Sequence, residues 1–227
     1  MESKKSLDIR PGVYTSVIGI GCMFVLSLWA WPQIPDNQLV PVHWGLSGHP
    51  DSYAIKAVGL LAMPILMSVV AVIFWAKLKT DPRQENLAES ASAVLATWCG
   101  VLALMLVVHG MIVFSAMGNY MPVSQVVPVA LGMLLLIVAR TLYTIRPNHS
   151  YGVRTRWTLS SDESWSRTNR LAGWCICAMG IGTIVSGLLN NMFLLAGVVL
   201  GGVIVLLPLT SIYSYVVWKH DKNRARQ

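Results

Sequence analysis

Three groups of side chains in this sequence are of types that could do chemistry. The first lies in residues 41–53, P-V-H-W-G-L-S-G-H-P-D-S-Y. His43, His49 and Asp51 offer imidazole nitrogen and carboxylate oxygen, the donor set of a zinc ion, with Asp36 as a fourth candidate. Their spacing matches no common zinc site, and the neighbouring His43 and Trp44 also form an ordinary interfacial pair. A packed structural cap is therefore favoured over a metal centre, with recognition of an external ligand as the third reading. Leu39–Trp44 reads as an extended segment, followed by turns at Gly45, Gly48 and Pro50.

The second group is His109 alone, an ionisable residue in the middle of an apolar run. Such a group should face the interior of a bundle, where a hydrogen bond to a neighbouring helix suffices to keep neutral imidazole in place. A proton relay would need an acid at similar depth, and no Asp or Glu falls inside any of the apolar runs.

The third group is residues 151–173, Y-G-V-R-T-R-W-T-L-S-S-D-E-S-W-S-R-T-N-R-L-A-G. It carries Arg154, Arg156, Arg167 and Arg170, the acidic pair Asp162 and Glu163, and two tryptophans, Trp157 and Trp165. Thr155, Thr158, Ser160, Ser161, Thr168 and Asn169 add dense hydrogen-bonding capacity. Ser160 with Glu163 predicts a capping box opening a helix at the membrane surface that continues or bends into a span at Leu171. The tryptophans suit the headgroup layer and the arginines suit lipid phosphates, but so many polar groups point to a fixed shape or a docking surface. No spacing resembles a nucleophile–base pair, a phosphate-binding loop or a H-E-x-x-H zinc signature, so neither an enzyme nor a cofactor is expected.

The elements that must position these groups follow from composition. Of 227 residues, 55% are hydrophobic and 12% charged, against about 25% charged in soluble domains. So few charges cannot cover a soluble fold of this size. The expected class is an all-α integral membrane protein, a bundle of six transmembrane helices spanning about 12–31, 57–76, 91–117, 123–143, 171–189 and 193–218. The first run is too long for a signal peptide and ends in an aromatic belt, so it reads as a retained helix. Residues 32–56 form one polar connection and 146–170 the other, within a single membrane domain.

The net charge of +7 does not imply nucleic acid, because the positive residues sit between apolar runs. Sixteen of the seventeen lysines and arginines fall at the N-terminus, in the second and fourth connections or in the tail; Lys56 is the exception. The positive-inside rule then predicts both termini and the 146–170 segment in the cytoplasm and the 32–56 segment outside.

Cys22, Cys99, Cys175 and Cys177 lie in apolar runs, where cysteine behaves as a small hydrophobe. Gly173, Gly180 and Gly187, with Gly197 and Gly201, suggest that the last two helices form a tight hairpin. Pro64, Pro128 and Pro208 predict kinks.

The 151–173 segment closely resembles the SdpI family of bacterial membrane immunity proteins and its pattern G-I-R-T-P-W-T-L-x-S-x-E-x-W-x-x-T-H-R-x-x-G. The 41–53 segment resembles a domain of unknown function often found at the front of that family. Arg156 stands where the family usually has proline, and Asn169 where it usually has histidine. The resemblance implies protection against a secreted antimicrobial toxin met on the outer face. It also implies signalling by holding a transcriptional repressor on the cytoplasmic face, an arm on which the change at 169 bears. The reading from a different class, motivated by the prolines, glycines and His109, is a small transporter or channel.

Overall fold

A computed structural model describes residues 6–223 of the chain. Lys4, Lys5, Arg224 and Arg226, which enter the charge asymmetry above, lie outside the described residues. In chain order the elements are α1 (Arg10–Ala30), a 3-10 turn (Trp31–Gln33), β1 (Leu39–Trp44), β2 (Pro50–Ile55), α2 (Lys56–Thr80) and α3 (Gln84–Glu89). They continue with α4 (Ala91–Ala116), α5 (Val123–Leu142), α6 (Arg156–Leu159), α7 (Asp162–Leu188) and α8 (Met192–His220).

Among the described residues six helices are long and apolar enough to cross a membrane: α1, α2, α4, α5, α7 and α8. Helix α4 packs against α1, α2 and α5; α7 packs against α5, and α8 lies against α7. All the connections carrying charge are therefore sorted to two ends. One, here called the basic end, gathers the 81–90 and 143–161 segments with the start of α7 and the end of α8. The opposite end carries the hairpin.

In lipid no hydrophobic difference draws helices together, so close approach depends on small residues and hydrogen bonds. The contact of α5 with α7 shows this. A Cβ on Gly132 would lie 2.7 Å from the Gly180 carbonyl oxygen, one on Gly187 2.8 Å from that of Gln125, and one on Gly173 3.0 Å from that of Ala139. The glycine stripe of α7 therefore faces α5, correcting the expectation that it closes a hairpin with α8. Gly197 and Gly201 of α8 have no neighbouring atom within 4 Å of where a Cβ would sit. Contacts of α7 with α8 run instead through Gly182 against Val198 and Gly202 against Met179.

The 32–56 connection contains a two-stranded antiparallel sheet, not one extended segment. Val40 pairs with Ala54 and Pro41 with Tyr53, with irregularities on either side of His43. Val40, fully buried, points down onto Gly59 at the start of α2, which leaves the hairpin lying on the bundle. Helix α7 also begins earlier than the apolar run at Leu171. Ser161 is its N-cap, accepting from the backbone N–H of Ser164. Residues 162–170 are thus helical and amphipathic: Ser164, Trp165, Thr168 and Asn169 face inward, Glu163, Ser166, Arg167 and Arg170 outward.

Candidate functional site

His109 is fully buried on α4. Its Nε2 lies 2.9 Å from Ser27 Oγ and 3.1 Å from the Met23 carbonyl, both on α1. Ser27 Oγ donates at 2.6 Å to the carbonyl of Leu60 on α2. That carbonyl is the one Pro64 leaves without its helical N–H partner, four residues on. Since the single Ser27 hydrogen goes to Leu60, Nε2 must carry the imidazole hydrogen and donate to Ser27. The pair has the separation of a nucleophile and base, which the sequence, with the two residues 82 positions apart, did not reveal. Its polarity is the reverse of an activated serine, and no solvent reaches it. The arrangement repairs a proline kink and ties three helices together.

At the hairpin end His43 Nδ1 and Asp51 Oδ1 are 2.5 Å apart, bridging the two strands on an exposed face. The backbone N–H of His49 bonds Ser47, and Asp36 binds Lys56 at 2.8 Å. Among the described residues no three His, Cys, Asp or Glu converge as a metal would require. Gly48 sits at φ +76° against Ser124 of α5, and Trp44 packs half-buried into the cluster of Val40, Leu60 and Ile112. Lys56 is buried beneath the hairpin with its ammonium 4.9 Å from the Trp31 ring. It holds the exposed Asp36 carboxyl below its ordinary value through their hydrogen bond and charge.

The basic end is built differently. Helix α2 stops at Asp81 because the following Pro82 forces extended backbone there. The buried Asp81 carboxylate then accepts from the N–H groups of Arg83 (2.8 Å) and His149 (2.9 Å) and from Ser150 Oγ (2.5 Å). Asn148, fully buried, accepts from the N–H groups of Ser150 and Tyr151. The Tyr151 hydroxyl enters the bundle between Thr97 of α4 (2.8 Å) and Thr141 of α5 (2.5 Å). Thr141 gives its own hydrogen to the Val138 carbonyl, so the chain of donors runs Thr97, Tyr151, Thr141.

Beyond Gly152, held at φ +106°, Val153 N–H donates at 2.8 Å to Asn169 Oδ1, whose Nδ2 donates to the Trp165 carbonyl. Trp165 is 1% exposed, with Nε1 donating to the Ile145 carbonyl at 2.9 Å. It is a core residue of this end rather than a headgroup anchor. Thr155 and Thr158 cap α6 reciprocally, and Thr155 Oγ1 donates to Ser214 of α8. Thr168 is also fully buried.

The capping box expected at Ser160 and Glu163 is not formed. Ser160 Oγ turns back to the Arg156 carbonyl, and Glu163 pairs with Arg167 one turn on. Burial of Trp165 decides between the adjacent serines: only a helix starting after Ser161 puts that ring inside while Ser161 Oγ reaches Asp221, the C-cap of α8, at 2.6 Å. A polar cleft of about 450 Å³ lies at this corner, lined by Arg83, Ser160, Ser161, Asp162, Glu163 and Asp221.

The expected site residues thus divide into frame and surface. Thr155, Thr158, Trp165 and Asn169 hold the fold of the segment, Thr168 is buried without a hydrogen-bond partner for its hydroxyl, and Arg154, Arg156, Arg167 and Arg170 are exposed. Trp157 is half-exposed, beneath the Arg156 guanidinium and beside Tyr215. Asp81, Asn148, Tyr151 and Ser214 were not singled out in the sequence. Only Asp-Pro at 81–82 carried a local signal, that of a helix stop.

Six spans with a β-hairpin lying on one end and a polar segment hydrogen-bonded into the other define a small multi-pass membrane protein. Residues 144–214 match the SdpI/YfhL protein family, and residues 18–68 match the Domain of unknown function (DUF1648). The chain is 22% identical over 206 residues to "Immunity protein SdpI" of Bacillus subtilis (strain 168), covering 90% of this chain and 94% of that protein. No solved structure matches. The chain resembles the SdpI family in its 144–214 region and, more distantly, along most of its length. The matched 144–214 region holds the frame just described: Ile145, Asn148, Tyr151, Thr155, Trp165, Asn169 and Ser214.

Proposed function

We propose that this protein is a non-enzymatic immunity protein of the bacterial cytoplasmic membrane, protecting its cell from a secreted antimicrobial toxin. The observation that carries the reading is the likeness to an immunity protein along nearly the whole chain, hairpin and polar segment included. We assign the basic end to the cytoplasm on the charge asymmetry of the sequence, which leaves the hairpin outside, where a toxin is met. The hairpin offers Leu39, Leu46, Tyr53 and Ile55 as exposed apolar contacts beside the His43–Asp51 pair. The sealed state of His109 supports this reading over a transport pathway through the bundle.

Signalling through a repressor is the finer part of the proposal. Position 169 is buried and bonded twice within the segment, so asparagine in place of the family's histidine acts on the shape of the loop rather than on a partner directly. A repressor would meet Arg154, Arg156 and Trp157.

The test is expression in a toxin-sensitive bacterium beside Arg154→Ala and Trp157→Ala. The wild-type chain is expected to protect, and the variants to protect less at equal membrane abundance. Absence of protection against any related toxin would overturn the immunity reading; full protection by both variants would remove the loop surface from it.

A further inference from the structure

The described arginines are almost all committed. Arg10 pairs with Asp8, Arg146 with Glu89 and Arg167 with Glu163. Arg83 donates to the Leu159 carbonyl, Arg154 to that of His149, and Arg156 lies over Trp157. Arg140 and Arg170 are the two, among the described residues, whose guanidinium groups have no hydrogen bond, ion pair or ring contact within the protein.

They lie on turns that abut. Gly173 of α7 packs against the Ala139 carbonyl and the Tyr143 ring. This sets Arg140 in the last turn of α5 and Tyr143 at its C-cap beside Arg170 and Trp174, four apart on α7. Tyr143 and Trp174 meet edge-on with centroids 5.8 Å apart, and Tyr143 lies within the field of Arg170. All four side chains are exposed on the outer face of the bundle.

Depth supplies the rest. Arg170 directly precedes the apolar run of α7, and Arg140 lies inside the last turn of α5. A guanidinium at the rim of the hydrocarbon needs an anion at that depth, and no carboxylate of the described residues reaches it. The phosphates of the leaflet do. Two guanidinium forks suit a phosphodiester, and two amphipathic rings suit the glycerol level below it.

We propose that the α5–α7 seam at the basic end is a binding site for an anionic phospholipid, with Arg140 and Arg170 on the phosphodiester and Tyr143 and Trp174 against the glycerol and first methylenes. The site does not depend on the immunity reading.

The test is native mass spectrometry of the full chain released from nanodiscs of mixed phosphatidylglycerol and phosphatidylcholine. Wild type is expected to retain phosphatidylglycerol selectively. Arg140→Gln/Arg170→Gln should lose that selectivity about tenfold or more, and each single variant should lose part of it. Arg154→Gln/Arg156→Gln removes the same charge elsewhere at the same end and should retain it. Thermal melts in detergent report folding, and the single variants decide the matter if the double variant does not fold. Wild-type selectivity in the Gln variants, or equal loss in the Arg154/Arg156 control, overturns the site. So does displacement of the lipid by millimolar inorganic phosphate, which would make it a free-anion site.

Discussion

The two ends of the bundle hold polar sequence of similar length by different means. At the hairpin end the order comes from backbone: two six-residue strands pair with each other, and one apolar face rests on α2. Its side-chain bonds, His43–Asp51 and Lys56–Asp36, each have a partner open to water. At the basic end there is no ladder, and side chains satisfy the backbone instead: Asp81, Asn148, Thr158 and Asn169 each accept from loop N–H groups while buried. A self-paired hairpin tolerates change at most positions. A loop folded on buried side chains does not, because each lost acceptor strands a donor away from water.

That contrast orders the expected effects. Trp165→Ala removes the largest fully buried side chain and leaves the Ile145 carbonyl unpaired; it should cost about 3–5 kcal/mol in detergent unfolding titrations. Asp81→Ala strands the backbone N–H groups of Arg83 and His149 and should cost about 2–4 kcal/mol, with proteolysis opening the 146–155 segment first. Ser27→Ala, away from both ends, leaves the Leu60 carbonyl bare and should cost about 1–2 kcal/mol, read by the same titration. At the hairpin end His43→Ala should shift the same titration by less than about 0.5 kcal/mol. A hairpin variant as damaging as Trp165→Ala would dissolve the contrast.

Acid should act weakly and late at the hairpin end. The Asp36 carboxyl lies below its ordinary 3.8 when folded, so its contribution is complete above that value and is lost only as pH falls through the lower folded value. Melting curves of wild type and Asp36→Asn should differ by a constant small amount from pH 5 to 8 and converge in stronger acid.

The six spans were legible because lipid leaves its mark on every residue of a long apolar run. The second strand was not: Pro50–Ile55 contains Asp51 and Ser52, and its pairing depends on a turn whose length the sequence did not settle. The polar segment showed its importance through composition but not its anatomy. Two adjacent serines gave two helix starts, and only tertiary burial of Trp165 separates them. Asp-Pro at 81–82 announced a helix stop but not that the Asp81 carboxylate is an acceptor for the loop, and Asn148 had no signal at all; the donors that fill Asp81 lie up to 69 positions away. The glycines of α7 showed a close contact without saying with which helix.

Whether the 146–170 segment has a fixed fold can be read by hydrogen exchange of the full chain in lipid nanodiscs, at the amides of Tyr151 and Val153. Each has a buried side-chain oxygen as its acceptor, Asn148 for one and Asn169 for the other. Both amides should be protected to a degree approaching the spanning helices, and protection at Val153 should collapse in Asn169→Ala. Exchange of both amides within seconds in the wild-type protein would mean that the segment has no fixed fold, and the division into frame and presented surface would be wrong.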